Sequence, residues 1–463
     1  MSNVNIELGK KDQKTVLFAN NTLMLACIFF SLCVAICLPG ILRTLDYFNL
    51  YTIFVVIRSA ESALGMLIAG PLGNKFGRKR LLQILIPLEI ISAALCGIAG
   101  NIFIFGLGII VLGFVNGILI ATTYAVIADV VERPNMGKYF GYAAVVLNVA
   151  TLITPYLAGR LSDLGIASFT FLVPIPLLVL SYPLFMKSFK NKAFSDAPLD
   201  FIGFVLISAA VVAFSIVFSL GGKTIPWTSP IVFVLLGVTA VCVFLMMLHF
   251  KKVAVPILDF EIFKNKEFRI TSVFSALKIP LFTVFNVFMI LYIQDALKMS
   301  GSDSGLISIP KTIVTILMPS LLAMILSKRN MRMSILKGSF IVLLITSGIL
   351  YFSGVNESTY MLFMVASALL GLCDSMQSIT LSPYGLSTLP GEKMGSANSL
   401  FTFIPAIIST LCTALFGMIN DNIGDLTKSF PIMIIISIVA AIISIGLAYT
   451  SLPKDKKEVV TEK

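Results

Sequence analysis

YTIFVVIRSAESALGMLIAGPLGNKFGRKR, residues 51–80, decides how the rest of the chain is read. The run from Tyr51 to Leu72 is mostly apolar and long enough to cross a bilayer, which takes about 20 residues. Lys75, Arg78, Lys79 and Arg80 follow at once. An apolar run closed by a basic block is the pattern of a membrane helix anchored at a cytoplasmic surface. Arg58 and Glu61 stand inside the run, three positions apart and therefore on one helical face. Charges are costly in lipid, so that face must turn towards protein or a cavity.

Working outward, thirteen more runs of this kind appear. In order, the predicted spans are Phe18 to Pro39, Tyr51 to Leu72, Leu81 to Gly100, Ile102 to Thr123, Tyr139 to Ala158, Ala167 to Met186 and Phe201 to Leu220. Pro230 to Phe250, Ile270 to Tyr292, Leu306 to Leu326, Ile335 to Ser353, Thr359 to Ser382, Asn398 to Met418 and Phe430 to Ser451 complete the set. The expected fold class is all-α, a polytopic membrane protein with fourteen transmembrane helices. Composition agrees: 57% of residues are hydrophobic and 12% charged, against about 25% charged in soluble domains. The mean hydropathy is +0.98.

The basic residues set the orientation. With the N-terminus inside, only Arg43, Arg160, Lys223, Lys298 and Lys428 fall in outside loops, and Arg58, Lys278 and Lys311 fall within spans. The rest of the 34 Lys and Arg lie on the inside, as membrane insertion favours. Both termini are expected in the cytoplasm of a cell-membrane protein, with no cleavable signal peptide. The net charge of +11 comes in short inter-helix blocks, not on one amphipathic face, so nucleic acid is not an expected partner. The seven cysteines lie in apolar runs without metal-like spacing, and there is one histidine, His249, read as interfacial. No P-loop sequence is present. No cofactor or metal is expected, and the protein is expected to be a monomer.

The longest inside connections, Lys187 to Asp200 and Lys251 to Arg269, bracket spans seven and eight. That spacing suggests six helices, an inserted pair, then six helices, as in transporters built from repeated halves. The expected divisions are residues 1–195, 196–253 and 254–463. Pro39, Pro155, Pro174, Pro280, Pro310, Pro319, Pro383 and Pro405 lie in or at the ends of spans, where each can break a backbone bond.

The stretch Gly70-Pro71-Leu72-Gly73-Asn74-Lys75-Phe76-Gly77-Arg78-Lys79-Arg80 resembles the signature between spans two and three of the major facilitator superfamily. Asn74 is read as able to cap the next turn. Narrower likeness is to fourteen-helix drug:proton antiporters. It rests on Asp200, Gly203, Gly221-Gly222 to Trp227, Pro256-Ile257-Leu258, Phe263-Lys264-Asn265, Tyr292-Ile293-Gln294, Ser304-Gly305-Leu306 with Pro310, and Phe171 to Pro176. The resemblance implies a two-bundle fold, six plus two plus six helices, around a cavity open alternately to each side. The chain departs from the pattern at three places. Asn74 stands where the family has an acidic residue. The span-four arginine is missing from Gly113-Phe114-Val115-Asn116-Gly117. Only Pro155 and Gly159 survive of the span-five antiporter signature.

Candidate residues follow from charge and polarity inside the spans. Glu61, Glu89 and Asp374 are candidates for proton coupling, because a poorly solvated carboxyl exchanges its proton near neutral pH. Arg58, Lys278, Lys311, Asn116, Asn148, Asn286 and Gln377 are candidates for substrate binding. Gly70, Asn74, Gly77, Arg78, Lys79, Asp129, Pro155 and Gly159 form the expected gating set. The loops leave no room for a catalytic domain, and no catalytic cluster or ion filter is evident, so neither an enzyme nor a channel is expected. The expected function is proton-coupled efflux of amphiphilic small molecules or drugs. The alternative is a proton symporter importing an amphipathic organic anion such as a bile acid.

Overall fold

The computed structural model describes residues 6–132, 136–192, 199–221, 225–253, 256–258, 260–328, 331–353, 359–386, 389, 394–453 and 455. Gly222 and Lys223 of the sequence reading lie outside these residues, as does most of the C-terminal tail. Among the described residues, fourteen helices are long and apolar enough to cross a membrane. Numbered as spans in chain order, they are Lys10–Thr44, Phe48–Phe76, Arg78–Ile98, Ile102–Val130, Tyr139–Asp163, Ala167–Ser188 and Phe201–Leu220, then Pro230–Phe250, Lys266–Asp295, Gly301–Leu326, Arg332–Phe352, Thr359–Gly385, Leu400–Ile423 and Leu426–Ser451. Most of these helices run past the apolar stretch that announces them. Span one starts at Lys10 rather than Phe18, and span four continues to Val130. Hydropathy reports only the part in hydrocarbon, whereas the helix goes on through the headgroups.

Half of the named prolines mark real interruptions. Span six opens as a 3₁₀ turn, Ala167–Phe171, and restarts at Ile175 after Pro174. Span nine is α-helix to Leu277, restarts at Ile279 beside Pro280, and passes through a π-turn at Val284–Phe288. Span ten restarts at Ile309, with Pro310 in its first turn. Span twelve restarts at Leu381, ahead of Pro383. Pro39, Pro155, Pro319 and Pro405 sit inside continuous helices. A proline in the first turn has no N–H to lose, which is why restarts accommodate it.

The chain forms two compact units. The first comprises Met1–Leu258, Ser300–Gly305 and Thr413–Asn422. In it, span two packs along span four, span one against spans five and six, and span seven against spans two and eight. Glycines allow the closest approach: a Cβ on Gly65 would strike the Phe114 carbonyl, and one on Gly117 the Ser62 carbonyl. Small residues at crossings are how membrane helices gain packing without a hydrophobic drive between them. The second unit comprises Asp259–Met299, Leu306–Cys412 and Ile423–Lys463. In it, span twelve lies between spans ten and eleven, and the Phe274 and Phe340 rings pack at a tilt with centroids 4.8 Å apart among Leu336, Leu381 and Met333.

Candidate functional site

The close crossing of spans two and four in the first unit brings polar side chains together. Asn116 is wholly buried on span four. Its Nδ2 donates to Glu89 Oε1 at 2.9 Å and to the Cys27 carbonyl at 3.1 Å. Its Oδ1 accepts from Ser31 Oγ at 2.9 Å and from Arg58 Nη2 at 3.3 Å. All four hydrogen-bonding positions of the amide are used, which fixes its orientation. Glu89 is also fully buried, on span three, and Arg58 is nearly so. Glu61 is half-buried beside Gly113, where a Cβ would run into its carboxyl and lie 3.3 Å from Arg58 Nη1. Arg58 thus brings a guanidinium from span two to the position where the family resemblance expects an arginine on span four.

Arg58 and Glu61 share a face, as their spacing requires, yet form no ion pair within 4.0 Å. Glu61 Oε2, Glu89 Oε2 and Arg58 Nε are buried without a hydrogen-bond partner among the described residues. Unsatisfied buried polar atoms are expensive and call for a reason. Two carboxyls and one guanidinium make a cluster that carries one negative charge in excess when all are ionised, and one bound proton removes it.

The second unit holds a cluster of opposite sign. Lys278 Nζ pairs with Asp374 Oδ1 at 3.0 Å, across spans nine and twelve. Lys311, on span ten, donates from Nζ to Asn286 Oδ1 at 3.2 Å. Lys278 and Lys311 each stand 5.1 Å from the Phe282 ring centre. Gln377 is apart from this group, donating to Ser339 Oγ at 3.2 Å and joining spans eleven and twelve.

The gating residues divide. Span two runs on through Asn74 to Phe76, and Gly77, at φ +82°, makes the turn. Asn74 is exposed and caps nothing, which corrects the capping expectation: the helix does not end where an Asn cap would act. Arg78 Nη1 pairs with buried Asp129 Oδ2 at 2.8 Å, and Lys79 Nζ donates to the Met186 carbonyl at 2.8 Å. Gly70 is exposed. Pro155 and Gly159 are buried, and a Cβ on Gly159 would meet the Gly301 carbonyl. Asn148 is half-buried on span five, with no hydrogen bond to the described residues.

Three features escaped the sequence reading. Ser31 and the Cys27 carbonyl complete the Asn116 shell from span one, whose apolar run Phe18 to Pro39 has no charge to draw notice. Asp163 ends span five and accepts from the Gly301 amide at 2.6 Å, the Ser302 amide at 3.0 Å and the Ser302 hydroxyl. His249 lies 2.6 Å from Asp200 Oδ1, and Asp200 Oδ2 accepts from the Ile257 amide at 3.1 Å. That tie joins the ends of the span seven–eight pair. Each depends on partners between 49 and 139 residues away in the chain, where no local spacing signals it.

The Major Facilitator Superfamily model matches residues 21–411. Among similar proteins, Multidrug resistance protein 3 of Bacillus subtilis is 24% identical over 392 residues, 84% of this chain and 76% of the relative. Multidrug export protein EmrB of Haemophilus influenzae is 25% identical over 359 residues, 76% of this chain and 70% of the relative. Multidrug efflux pump SdrM of Staphylococcus aureus is 23% identical and covers 89% of this chain and 91% of its own. An auto-inhibited POT family peptide transporter shares the fold at TM-score 0.71 and 12% identity, over 97% of this chain and 98% of that one. With fourteen spans and charge clusters buried in its helices, the chain belongs to the Major Facilitator Superfamily and is a multi-pass membrane transporter of small molecules, not an enzyme.

Proposed function

We propose that this transporter exports amphiphilic small molecules in exchange for protons, with Glu61 and Glu89 holding the coupling proton. The observation that carries the reading is the buried group of Arg58, Glu61, Glu89 and Asn116, whose two carboxyls exceed its one guanidinium. Moving an uncompensated charge between conformations in a low-dielectric interior is costly. A bound proton removes that charge, so protonation biases which conformation the first unit adopts. The multidrug resistance and export names of its relatives support efflux of drug-like compounds.

In this reading the functional divisions are residues 1–195, 196–253 and 254–463. Gly70, Asn74, Gly77, Arg78, Lys79, Asp129, Pro155 and Gly159 act in gating, with the Arg78–Asp129 pair at its centre. The protein works as a monomer in the cell membrane, with both termini in the cytoplasm. Proteoliposomes of purified protein with a trapped pH dye test the coupling. A lipophilic cation or an amphipathic carboxylate is added to each set. Protons should move against the substrate, and Glu61→Gln and Glu89→Gln should abolish that movement. Protons moving with the substrate would make the protein a symporter, and undiminished movement in both variants would remove the assigned carriers.

A further inference from the structure

The second unit carries a cation, Lys311, that forms no ion pair with a carboxylate among the described residues. Lys278, Phe282 and Asn286 follow at intervals of four on span nine and so share one face. Ser367, Gly371 and Asp374 share a face of span twelve in the same way. That second face fixes Lys311. The Lys311 amide donates to Ser367 Oγ at 3.2 Å, Ser367 Oγ donates to the Ile307 carbonyl at 2.5 Å, and a Cβ on Gly371 would meet the Lys311 carbonyl and Cα. The lysine's backbone is therefore held against span twelve by Ser367 and Gly371, whatever its side chain contacts.

Asp374 is engaged by Lys278 at 3.0 Å. Lys311 Nζ has no carboxylate within pairing distance among the described residues. It has the Asn286 carbonyl at 3.2 Å and the ring faces of Phe282 and Phe285 at 5.1 Å and 5.7 Å. Asn286 is exposed, and its Nδ2 is unused among the described residues, leaving two donors side by side. Lys311 also stands in the first turn of its helix, where the positive end of the helix dipole already disfavours a cation. Lys311 is half-buried, and an unpaired charge within a membrane span faces a water-filled cavity or a ligand, because lipid would exclude it. Two adjacent donors beside aromatic rings match a carboxylate carried on an apolar body.

We propose that Lys311 and Asn286, held over Phe282, form a subsite for the carboxylate of an amphipathic organic acid. It names a substrate class and rests on the transporter reading above for what happens after binding. Lys278 has a positioning part: by occupying Asp374 it keeps that carboxylate from filling the Lys311 site.

Equilibrium binding of radiolabelled decanoate and decyltrimethylammonium to the full chain tests this. Nanodiscs of phosphatidylcholine are used, so that no anionic lipid headgroup competes and no proton gradient enters. Decanoate should bind saturably. Lys311→Gln should weaken it about tenfold or more, the value of a charge-assisted hydrogen bond, without weakening decyltrimethylammonium. Lys311→Arg should recover most of the binding. Lys278→Gln should also weaken decanoate, by releasing Asp374 to Lys311, and Lys278→Gln with Asp374→Asn should restore it. A purely structural part for Lys278 would not give that restoration. Unchanged decanoate affinity in monodisperse Lys311→Gln, or equal loss of both ligands, overturns the subsite. Failure of proton exchange is read separately, in the Glu61→Gln proteoliposomes, so the two conclusions stand or fall independently.

Discussion

Asn116 is the residue on which the buried charges of the first unit depend. Spacing alone joins Arg58 to Glu61, but the guanidinium turns to the Asn116 amide, which also donates to Glu89. A short-range rule sees one helix, whereas four helices compete for these groups. Asn116→Ala leaves Glu89 Oε1 without its donor and Arg58 Nη2 without its acceptor. A buried group left unsatisfied costs about 1–3 kcal/mol, so the thermal midpoint of the purified protein should fall by several degrees. An unchanged midpoint would mean that water replaces the amide and that the site is wetter than its burial implies. The neighbouring glycines give a graded test. A Cβ on Gly117 meets the Ser62 backbone, which cannot swing away, whereas one on Gly113 meets the Glu61 carboxyl, which can. Gly117→Ala should therefore lose about 1–3 kcal/mol to overpacking, while Gly113→Ala should melt closer to the parent and lose proton exchange instead. Equal destabilisation by the two would contradict the assignment.

Elements joined end to end show where local rules succeed and where they stop. Pro174, Pro280, Pro310 and Pro383 mark real restarts, but the π-turn at Val284–Phe288 has no proline within it and no spacing that announces it. The tie on the inserted pair was equally hidden, because His249 and Asp200 sit at opposite ends of a helical hairpin. Asp200 caps span seven through the Gly203 amide at 2.8 Å and holds His249 and Ile257 as well. Burial works against its charge, yet the hydrogen bonds from His249 and from the Ile257 and Gly203 amides hold its carboxyl below the usual carboxylate range. A depressed folded value means the stabilisation is complete above the unfolded value of about 3.9 and is lost as pH falls through the lower, folded value. Asp200→Ala should thus lower the thermal midpoint at neutral pH, with loss of the cap alone costing about 1 kcal/mol. The gap between variant and parent should close only below about pH 4. Melting curves from pH 8 down to pH 3 read this directly, and a gap that does not narrow at all as pH falls towards 3 would show that packing, not the charge, holds the hairpin.

Whole-molecule architecture was the most legible level, because crossing a bilayer is a summed property of some twenty side chains and tolerates local error. All fourteen predicted runs correspond to helices able to span. Which faces meet was not legible: helices that are apolar nearly all round carry little directional signal, so Asn116 and Lys311 could be named but not their partners. Orientation rests on a different physics. Lys and Arg are held back from translocation far more than acidic residues, so the side with more of them near span ends stays inside. Losing one span would invert every later loop and mix the two classes, yet Arg43, Arg160, Lys223, Lys298 and Lys428 alone fall opposite the rest. The orientation therefore makes a sharp prediction. Single cysteines at Arg43 and Lys298, in a background whose seven native cysteines are replaced by serine or alanine, should react with an impermeant maleimide in intact cells. Single cysteines at Arg80 and Arg332 should react only after the membrane is opened. Labelling of Arg80→Cys from outside would reverse the whole assignment. Agreement at Arg43 with reversal at Lys298 would place an odd number of missing or extra spans between them, and the charge asymmetry would then be coincidence.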